Sequence, residues 1–345
     1  MPMTTTGGGT NSTSTSTGQI PPGIQAYYDR NLLMRAVPAD VHGRFGQNRP
    51  IKKANGNQIK FRRYELLPIN LTPLTEGVVP SSGTVTLTDL TVTLNQYGGF
   101  LEFTDMVEFT NQDAVLTELS DLNGDQAGTT IDQIRRDVLV AGTNVVYTNG
   151  SARNTLNTVC GAIALRTAIR TLGRNSAKFV REIINATTGQ GTTPIRKAYA
   201  SIIHPDTEAQ FDGGLAGYVP VAEYSSAMKA EEDEVGSFRA LRFWQSPNAK
   251  VFGHAGAAVG TDGMISDNAT NNDVYATLIF AQQSYGIVPL SGEAMRNIIK
   301  SRSSGGPSNP LEQFGTSGWK AITTTARLNE NFMVRVEHTN LTTLT

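Results

Sequence analysis

Residues 55–105 constrain this chain more than any other stretch. They read as two β segments around a long Pro- and Thr-rich tip, with a long helical pattern starting at once afterwards. In the first segment Ile59, Phe61 and Arg63 point one way and Lys60, Arg62 and Tyr64 the other, the period-two alternation of a strand. The second carries Val85 and Leu87, then Leu90, Val92 and Leu94. The slip of apolar phase between Leu87 and Leu90 predicts a bulge at Thr88 and Asp89. The tip contains Pro68, Pro73, Pro80, Gly77 and Gly83, and is far longer than an ordinary hairpin turn. A two-stranded ribbon is marginal in water. Nothing local in the sequence offers it a surface, so the economical expectation is that it lies on another copy of the same chain. Leu67, Ile69, Leu71, Leu74 and Val78 are the predicted anchors.

Composition fits a chain that assembles. Charged residues make up 17% of it, below the roughly 25% of an ordinary soluble domain. Thr, Asn, Gly and Ser fill the deficit, giving a polar but weakly charged surface suited to broad contacts between subunits. The net charge of −1 argues against a protein whose main task is gripping phosphate backbones. The short basic cluster Lys52, Lys53, Lys60, Arg62 and Arg63 reads as a solvated strand edge with ordinary ion pairs. Cys160 is the single cysteine, which excludes an intrachain disulfide; its small apolar flanks predict a buried thiol. The first residues show no basic region followed by an apolar stretch, so no secretory signal is expected. No window approaches the roughly 18 apolar residues of a membrane span. These features together predict a soluble product of a reducing compartment with no membrane partner.

Along the chain, residues 1–20 are a Thr/Ser/Gly tract, expected to be disordered without a partner surface. Residues 21–50 form an arm with apolar anchors, among them Tyr27, Tyr28, Leu32, Leu33, Val37 and Phe45. These are expected to meet neighbouring subunits, with a short helix over 26–35. Thr104 and Asp105 are good N-cap types. From there to about Tyr147 apolar residues recur at three- and four-residue steps: Val115, Leu119, Leu122, Ile131, Ile134, Val138, Ala141 and Val145. That stripe predicts one long spine helix, kinked or broken near Gly124 and Gly128. Residues 160–172 and 176–187 read as helices, 198–204 as a strand ended by His204 and Pro205, and 207–211 as a short helix. Residues 238–245, 250–254, 274–280 and 281–288 read as strands. Two more, 319–328 and 332–339, read as a hairpin turning at residues 328–331. A long helix with one apolar stripe needs a sheet face. Ile131, Ile134, Val138 and Val145 are therefore expected to bury against Ile322, Phe332, Val334 and Val336.

Catalytic motifs are absent from the sequence. There is no Gly-x-x-x-x-Gly-Lys-Ser/Thr loop and no His-Glu-x-x-His. Gly253, His254, Gly256 and Gly260 lack dinucleotide-binding spacing and read as a flexible loop. Asp121, Asn123 and Asp125 open like a calcium loop but lack the Gly at the sixth position and the closing Glu. His204, Asp206 and Glu208 could form an acid–base cluster, yet a His ahead of Pro at a strand end is the pattern of a structural turn. The acidic run at residues 231–234 reads first as a solvated face and second as part of an interface or pore rim. Neither a cofactor nor a metal is expected, and no enzymatic activity.

The order of elements resembles the major capsid protein of tailed bacteriophages, an α+β chain of the Hong Kong 97-like major capsid fold. Within it, the chain is most similar to the family named after the coat protein of phage N-four. The residues that carry this are Gln96-Tyr97-Gly98 with Phe103-Thr104-Asp105, then Ile131-Asp132 with Arg135-Arg136-Asp137-Val138-Leu139 and Ala141-Gly142-Thr143. To these add Ile202-Ile203-His204-Pro205, Glu234-Val235-Gly236, Val274-Tyr275, Pro310-Leu311, Gly318-Trp319-Lys320 and Leu328-Asn329. The resemblance runs from about residue 24 to 338 and rests on order and spacing.

The resemblance implies an N-terminal tail and arm (1–54), an E-loop (55–104), a P-domain spine helix (105–157), an A-domain (158–270) and P-domain C-terminal strands (271–345). It implies hexamers and pentamers of this chain closing an icosahedral virion shell around double-stranded DNA. Assembly would take place in the host cytoplasm with a separate scaffolding protein, a portal and, where a phage carries them, decoration proteins. The DNA would be touched weakly, since a strongly basic wall would impede packaging. Two further expectations come from the residues. Residues 61–105 contain no lysine, so no ribbon crosslink of the lysine–asparagine kind is expected. The tract before Pro21 has no helical periodicity, so no large N-terminal scaffolding piece is expected to be cleaved. The alternatives are an encapsulin-like nanocompartment shell, which shares the fold but has no tail vertex, and a surface-layer or adhesin protein, which should carry a signal peptide.

Overall fold

The computed structural model describes residues 40–342 apart from 66, 68, 81, 111–114, 181–196, 225–230, 232, 261–262, 293–294, 301 and 303–308. The Ser/Thr tract and the arm anchors Tyr27, Tyr28, Leu32 and Leu33 lie outside the described residues. In chain order, β1 (Gln47–Asn48) leads to the ribbon strands β2 (Gln58–Tyr64) and β3 (Leu87–Thr93). β4 (Asn95–Thr104) follows after Leu94 alone, then α1 (Asp105–Thr110) and the spine α2 (Val115–Val140). Next come β5 (Val145–Tyr147), α3 (Ala162–Arg174), β6 (Tyr199–Ile203), α4 (Pro205–Gly214) and β7 (Tyr218–Pro220). β8 (Glu234–Phe238), β9 (Leu241–Gln245), β10 (Val251–Phe252) and β11 (Val274–Phe280) follow. The chain ends on β12 (Tyr285–Pro289), β13 (Arg296–Lys300), β14 (Phe314–Arg327) and β15 (Met333–His338).

These strands form three sheets. The ribbon β2–β3 stands alone. A five-stranded sheet runs β1-β12-β14-β13, with β4 on the other side of β14. An eight-stranded sheet runs β5-β15-β11-β6-β9-β8-β7, with β10 also on β11. The last is a middle layer, covered on both faces. All seven residues of its central strand β11 are buried, which is why that segment reads as a continuous apolar run rather than an alternating one. Toward one face Val334, Val336, Ile279, Ile203 and Phe243 pack with Leu165, Ala168 and Leu172 of α3 and Phe211 of α4. Toward the other, Met333, Leu278, Phe280, Ile202 and Trp244 pack with Leu139 and Val140 of the spine and with Val41, Phe45 and Tyr285.

Several expectations are corrected. The ribbon has no bulge: its register is unbroken from Gln58 opposite Thr93 to Tyr64 opposite Leu87. Leu90 and Val92 face Phe61 and Ile59, whereas Leu87 shares the opposite face with Tyr64, so the phase slip is a change of face and not an extra residue. The spine runs unbroken through Gly124 and Gly128 and stops at Val140, not near Tyr147. Val145 is not on the helix. It lies half-buried in β5, parallel to β15 and opposite Arg335. The β-branched and aromatic run Val145, Val146, Tyr147 favours that strand.

The spine's buried row is Leu119, Asn123, Ala127, Ile131 and Leu139, while Leu122 is exposed and Ile134 and Val138 are half-buried. The row includes a polar residue, Asn123, which donates to Ser317 Oγ (3.0 Å). Ile131 meets Trp319 and Ala321 of β14, one residue out of phase with the expected Ile322. Val334 and Val336 face α3 instead of the spine.

β14 and β15 are no hairpin, because they belong to different sheets. Ser284 O accepts from both Leu328 N and Asn329 N, and the Asn329 side chain accepts from Asn331 N to start the 3-10 turn Glu330–Phe332. That crossing carries the chain between the sheets. As a result β11 and β15, expected with the C-terminal P-domain strands, pair in the same sheet as β6 to β9. The expected helix over 176–187 is absent in its described part. Ser176 takes φ 54°, a left-handed end to α3, and Val180 N bonds Ala198 O in extended chain. The segment read as one strand over 238–245 is the turn and second strand of the β8–β9 hairpin, reversing at Arg239 (φ 52°).

Candidate assembly interface

The ribbon leaves the body at a tight root. Ala54 (φ 70°) and Gly56 (φ 81°) turn the chain through left-handed conformations, which glycine adopts without strain. Above the root, Phe61 rests on the body. A Cβ placed on Gly286 of β12 would lie 3.2 Å from the Phe61 ring and 3.3 Å from Leu328, so the glycine makes the seat. A cleft of about 300 Å³ opens beside it, lined by Phe61, Leu90, Leu328 and Phe332 with Arg62, Asp89 and Arg327 at its rim. The ribbon's charges pair locally. Arg62 makes a two-pronged bond to Asp89 (2.8 and 3.0 Å), and Arg63 binds Glu65, which also accepts from Thr88. The Arg62 hydrogen bond draws the Asp89 carboxyl below its ordinary pKa.

Beyond Phe61 the apolar residues described in the ribbon tip are exposed. Leu67, Ile69, Leu71, Leu74 and Val78 are 59–86% exposed, and Val79 reaches 91%. All five predicted tip anchors are thus bare in the single chain, with Leu71 and Ile69 barest. An apolar run of this kind is a contact surface awaiting a partner in most soluble proteins. A second apolar outcrop lies where β4 meets α1: Phe100, Met106 and Phe109 are exposed, as is Leu311 near the start of β14.

Inside the subunit, three polar nodes bind the layers. Asp132 of the spine accepts from the His42 backbone N (3.0 Å), bonds His42 Nδ1 (2.8 Å) and accepts from Asn248 (3.0 Å). Burial works to raise the Asp132 pKa, but the bonds and charge of His42 and the Asn248 amide hold it below the ordinary value. Tyr285 donates to His42 O (2.7 Å), tying β12 to the same point. Arg335 and Arg153 both pair with the fully buried Glu337. Arg242 pairs with Glu234, to which Tyr224 also donates (2.8 Å). Glu234 is therefore a buried ion-pair partner, which corrects the solvated-face reading at that residue, while Asp233 of the same run is exposed.

The spine ends on arginines from both sheets. Arg327 of β14 donates to Val138 O (2.6 Å), and Arg335 of β15 donates to Val140 O and to Gly142 O (3.0 Å). Cations at a helix C-terminus satisfy orphan carbonyls and oppose the helix dipole. Sequence reasoning missed these residues. Their one signal was an Arg at a strand position whose neighbours alternate apolar.

The candidate chemistry resolves into structure. His204 Nδ1 accepts from Asp206 N (3.2 Å) as the N-cap of α4, and Tyr275 donates to Asp206 (2.7 Å). The Cys160 thiol is buried and pushed up to about 12 by that burial. Among the described residues no group of three or more His, Cys, Asp or Glu is placed to hold a metal ion. No described helix is long and apolar enough to cross a membrane.

No family model matches the chain. No curated protein matches it either. Solved structures do. The capsid of Ralstonia phage GP4 superimposes with a TM-score of 0.63 at 11% identity, over 92% of this chain and 98% of that one. The cyanophage Pam1 capsid asymmetric unit gives 0.63 at 11% identity over 99% and 100%. The capsid of cyanophage P-SCSP1u gives 0.60 at 13% identity over 91% and 93%. The chain has the α+β fold of tailed-phage major capsid proteins, as the resemblance implied. The coverage is broad on both sides, since each of these chains is matched over more than nine-tenths of its own length.

Proposed function

We propose that this chain is the major capsid protein of a tailed bacteriophage, self-assembling into the icosahedral head that encloses double-stranded DNA. The observation that carries this is the full-length match to phage capsid chains, joined to a ribbon whose apolar tip is bare in the single subunit. The role is structural, not enzymatic. Residues 55–104 act as the E-loop, with Leu67, Ile69, Leu71, Leu74 and Val78 seated on a neighbouring subunit, and the arm residues Tyr27, Tyr28, Leu32 and Leu33 add a second contact. Ile131, Ile134 and Val138 serve the spine that carries the E-loop. Hexamers and pentamers assemble in the host cytoplasm around a separate scaffolding protein and a portal, with decoration proteins added where the phage has them. DNA is touched weakly, consistent with the net charge of −1.

Electron microscopy of the chain expressed with its phage's scaffolding protein tests the reading. Closed angular shells are expected. Subunits that stay monomeric under all such conditions would overturn it.

A further inference from the structure

Charge is divided unevenly along the part of the chain that builds the eight-stranded sheet. Residues 138–180 hold Arg153, Arg166, Arg170, Arg174 and Lys178 and no Asp or Glu. Residues 205–234 hold eight acidic residues against the single base Lys229. The fold turns this into a separation in space. α3 packs on β5 and β15 at one end of the sheet, and α4 packs on β7 at the other. Six interstrand steps lie between those ends. At the usual strand spacing that is roughly 30 Å.

Each end carries an uncompensated stripe. Arg166, Arg170 and Arg174 recur every four residues on the exposed side of α3, with no carboxylate partner among the described residues. Glu208 and Asp212 stand four apart on α4, with Glu223 just beyond β7, and they too lack a basic partner among the described residues. Like charges four apart on a helix repel. Burial and then the Asp212 charge push the Glu208 carboxyl above its ordinary pKa, and both acids bear on Tyr218 of the edge strand β7. The isolated subunit gains nothing from either stripe, yet each is the complement of the other.

We infer that the arginine stripe of α3 on one copy docks against Glu208, Asp212 and Glu223 of the next copy, a head-to-tail contact between like subunits. This rests on the shell reading above and names the surfaces that join subunits within a ring. A contact between two different patches of one chain generates closed rings when its rotation closes, and opposite potentials fix its register and speed encounter. Nucleic acid is the weaker occupant for α3. A polyanion on α3 would leave the acidic stripe at the other end of the sheet without a partner.

The test is a charge swap. R166E/R170E and E208K/D212K are expected each to lose assembly while keeping wild-type circular dichroism and melting. Combining the four changes in one chain is expected to restore assembly, because every acidic α3 then faces a basic α4 whatever the number of subunits in the ring. Full assembly by either double variant alone, or no recovery in a folded quadruple variant, overturns the inference. If R166E/R170E assembles normally but its particles retain less nucleic acid, the stripe belongs to nucleic acid instead. Should a reversed variant fail to fold, R166Q/R170Q and E208Q/D212Q carry the test. Both are then expected to assemble only at lower salt than wild type, and an unchanged salt threshold overturns the contact. Failure of wild type to assemble in the same experiment would count against the shell reading itself, and is distinguishable from these outcomes.

Discussion

Arg335 lies in β15, yet its guanidinium closes the spine helix by donating to the carbonyl of Val140. The same side chain reaches Gly142 O and pairs with Glu337, so one residue joins the helix end, the strand and a buried carboxylate. Breaking one partner of a buried ion pair costs about 3–5 kcal/mol. Arg335→Met should fall in that range or slightly below it, because Arg153 still neutralises Glu337. Urea unfolding of the unassembled subunit measures this. A loss under about 1 kcal/mol would show that the helix end is held by other contacts.

The tip residues should behave in the opposite way. Leu71→Ser with Leu74→Ser changes exposed positions, so subunit stability should stay within about 0.5 kcal/mol. Particle yield should collapse. Normal shells from that double variant, seen by electron microscopy, would remove the ribbon tip from the interface.

The spine offers a graded comparison. Ile131 is buried against Trp319 and Ala321, whereas Ile134 is only half-buried. Ile131→Ala should cost about 2–4 kcal/mol, and Ile134→Ala clearly less. Equal losses in denaturant titrations would mean that both positions share one environment.

His338 should make the subunit acid-sensitive. Its ring is fully buried, bonded to Thr277 and Thr339 O, and burial pulls its pKa down to about 4. An unfolded histidine titrates near 6.5, so the unfolded chain takes up the proton first. The stabilisation is complete above about pH 6.5 and is lost as pH falls toward 4, reaching about 3 kcal/mol. Asp132, with a depressed pKa, acts in a lower window, below its ordinary value near 3.8. Between pH 7.5 and 5 wild type should lose about 2 kcal/mol that His338→Gln does not. Identical pH profiles for the two would place the acid response elsewhere.

Covalent linkage between subunits is not expected. Lys60 sits on β2 near the ribbon root and no lysine follows before residue 106. Boiled, denatured particles should give one band at the mass of a single subunit. A ladder of larger species would contradict this.

The sequence made some of this legible and hid the rest for identifiable reasons. The ribbon, its apolar tip, α3, β6 and β11 could be read because each has a strong period or an unbroken apolar run. The spine was found, but its buried row was misplaced. Asn123 and Asp132 are buried polar residues, and an apolar-periodicity argument skips them in favour of Leu122 and Ile134. The C-terminal strands were located but wrongly paired, since Asn329 looks like a hairpin turn until Ser284 is known to hold the crossing. The arginine caps depend on contacts between residues about 190 positions apart, for which no local pattern exists.

One feature of the ribbon bears on how a shell would carry force. β3 passes into β4 with Leu94 alone between them, and β4 lies against β14 over ten successive residue pairs, from Asn95 opposite Thr323 to Thr104 opposite Phe314. A pull on the tip directed along β4 loads its bonds to β14 in shear, all sharing the tension at once. Peeling would break them singly from one end. The attachment is strong along the strand axis and weak across it, so in a shell wall the subunit would resist a pull along β4 far better than it would resist having its ribbon lifted away.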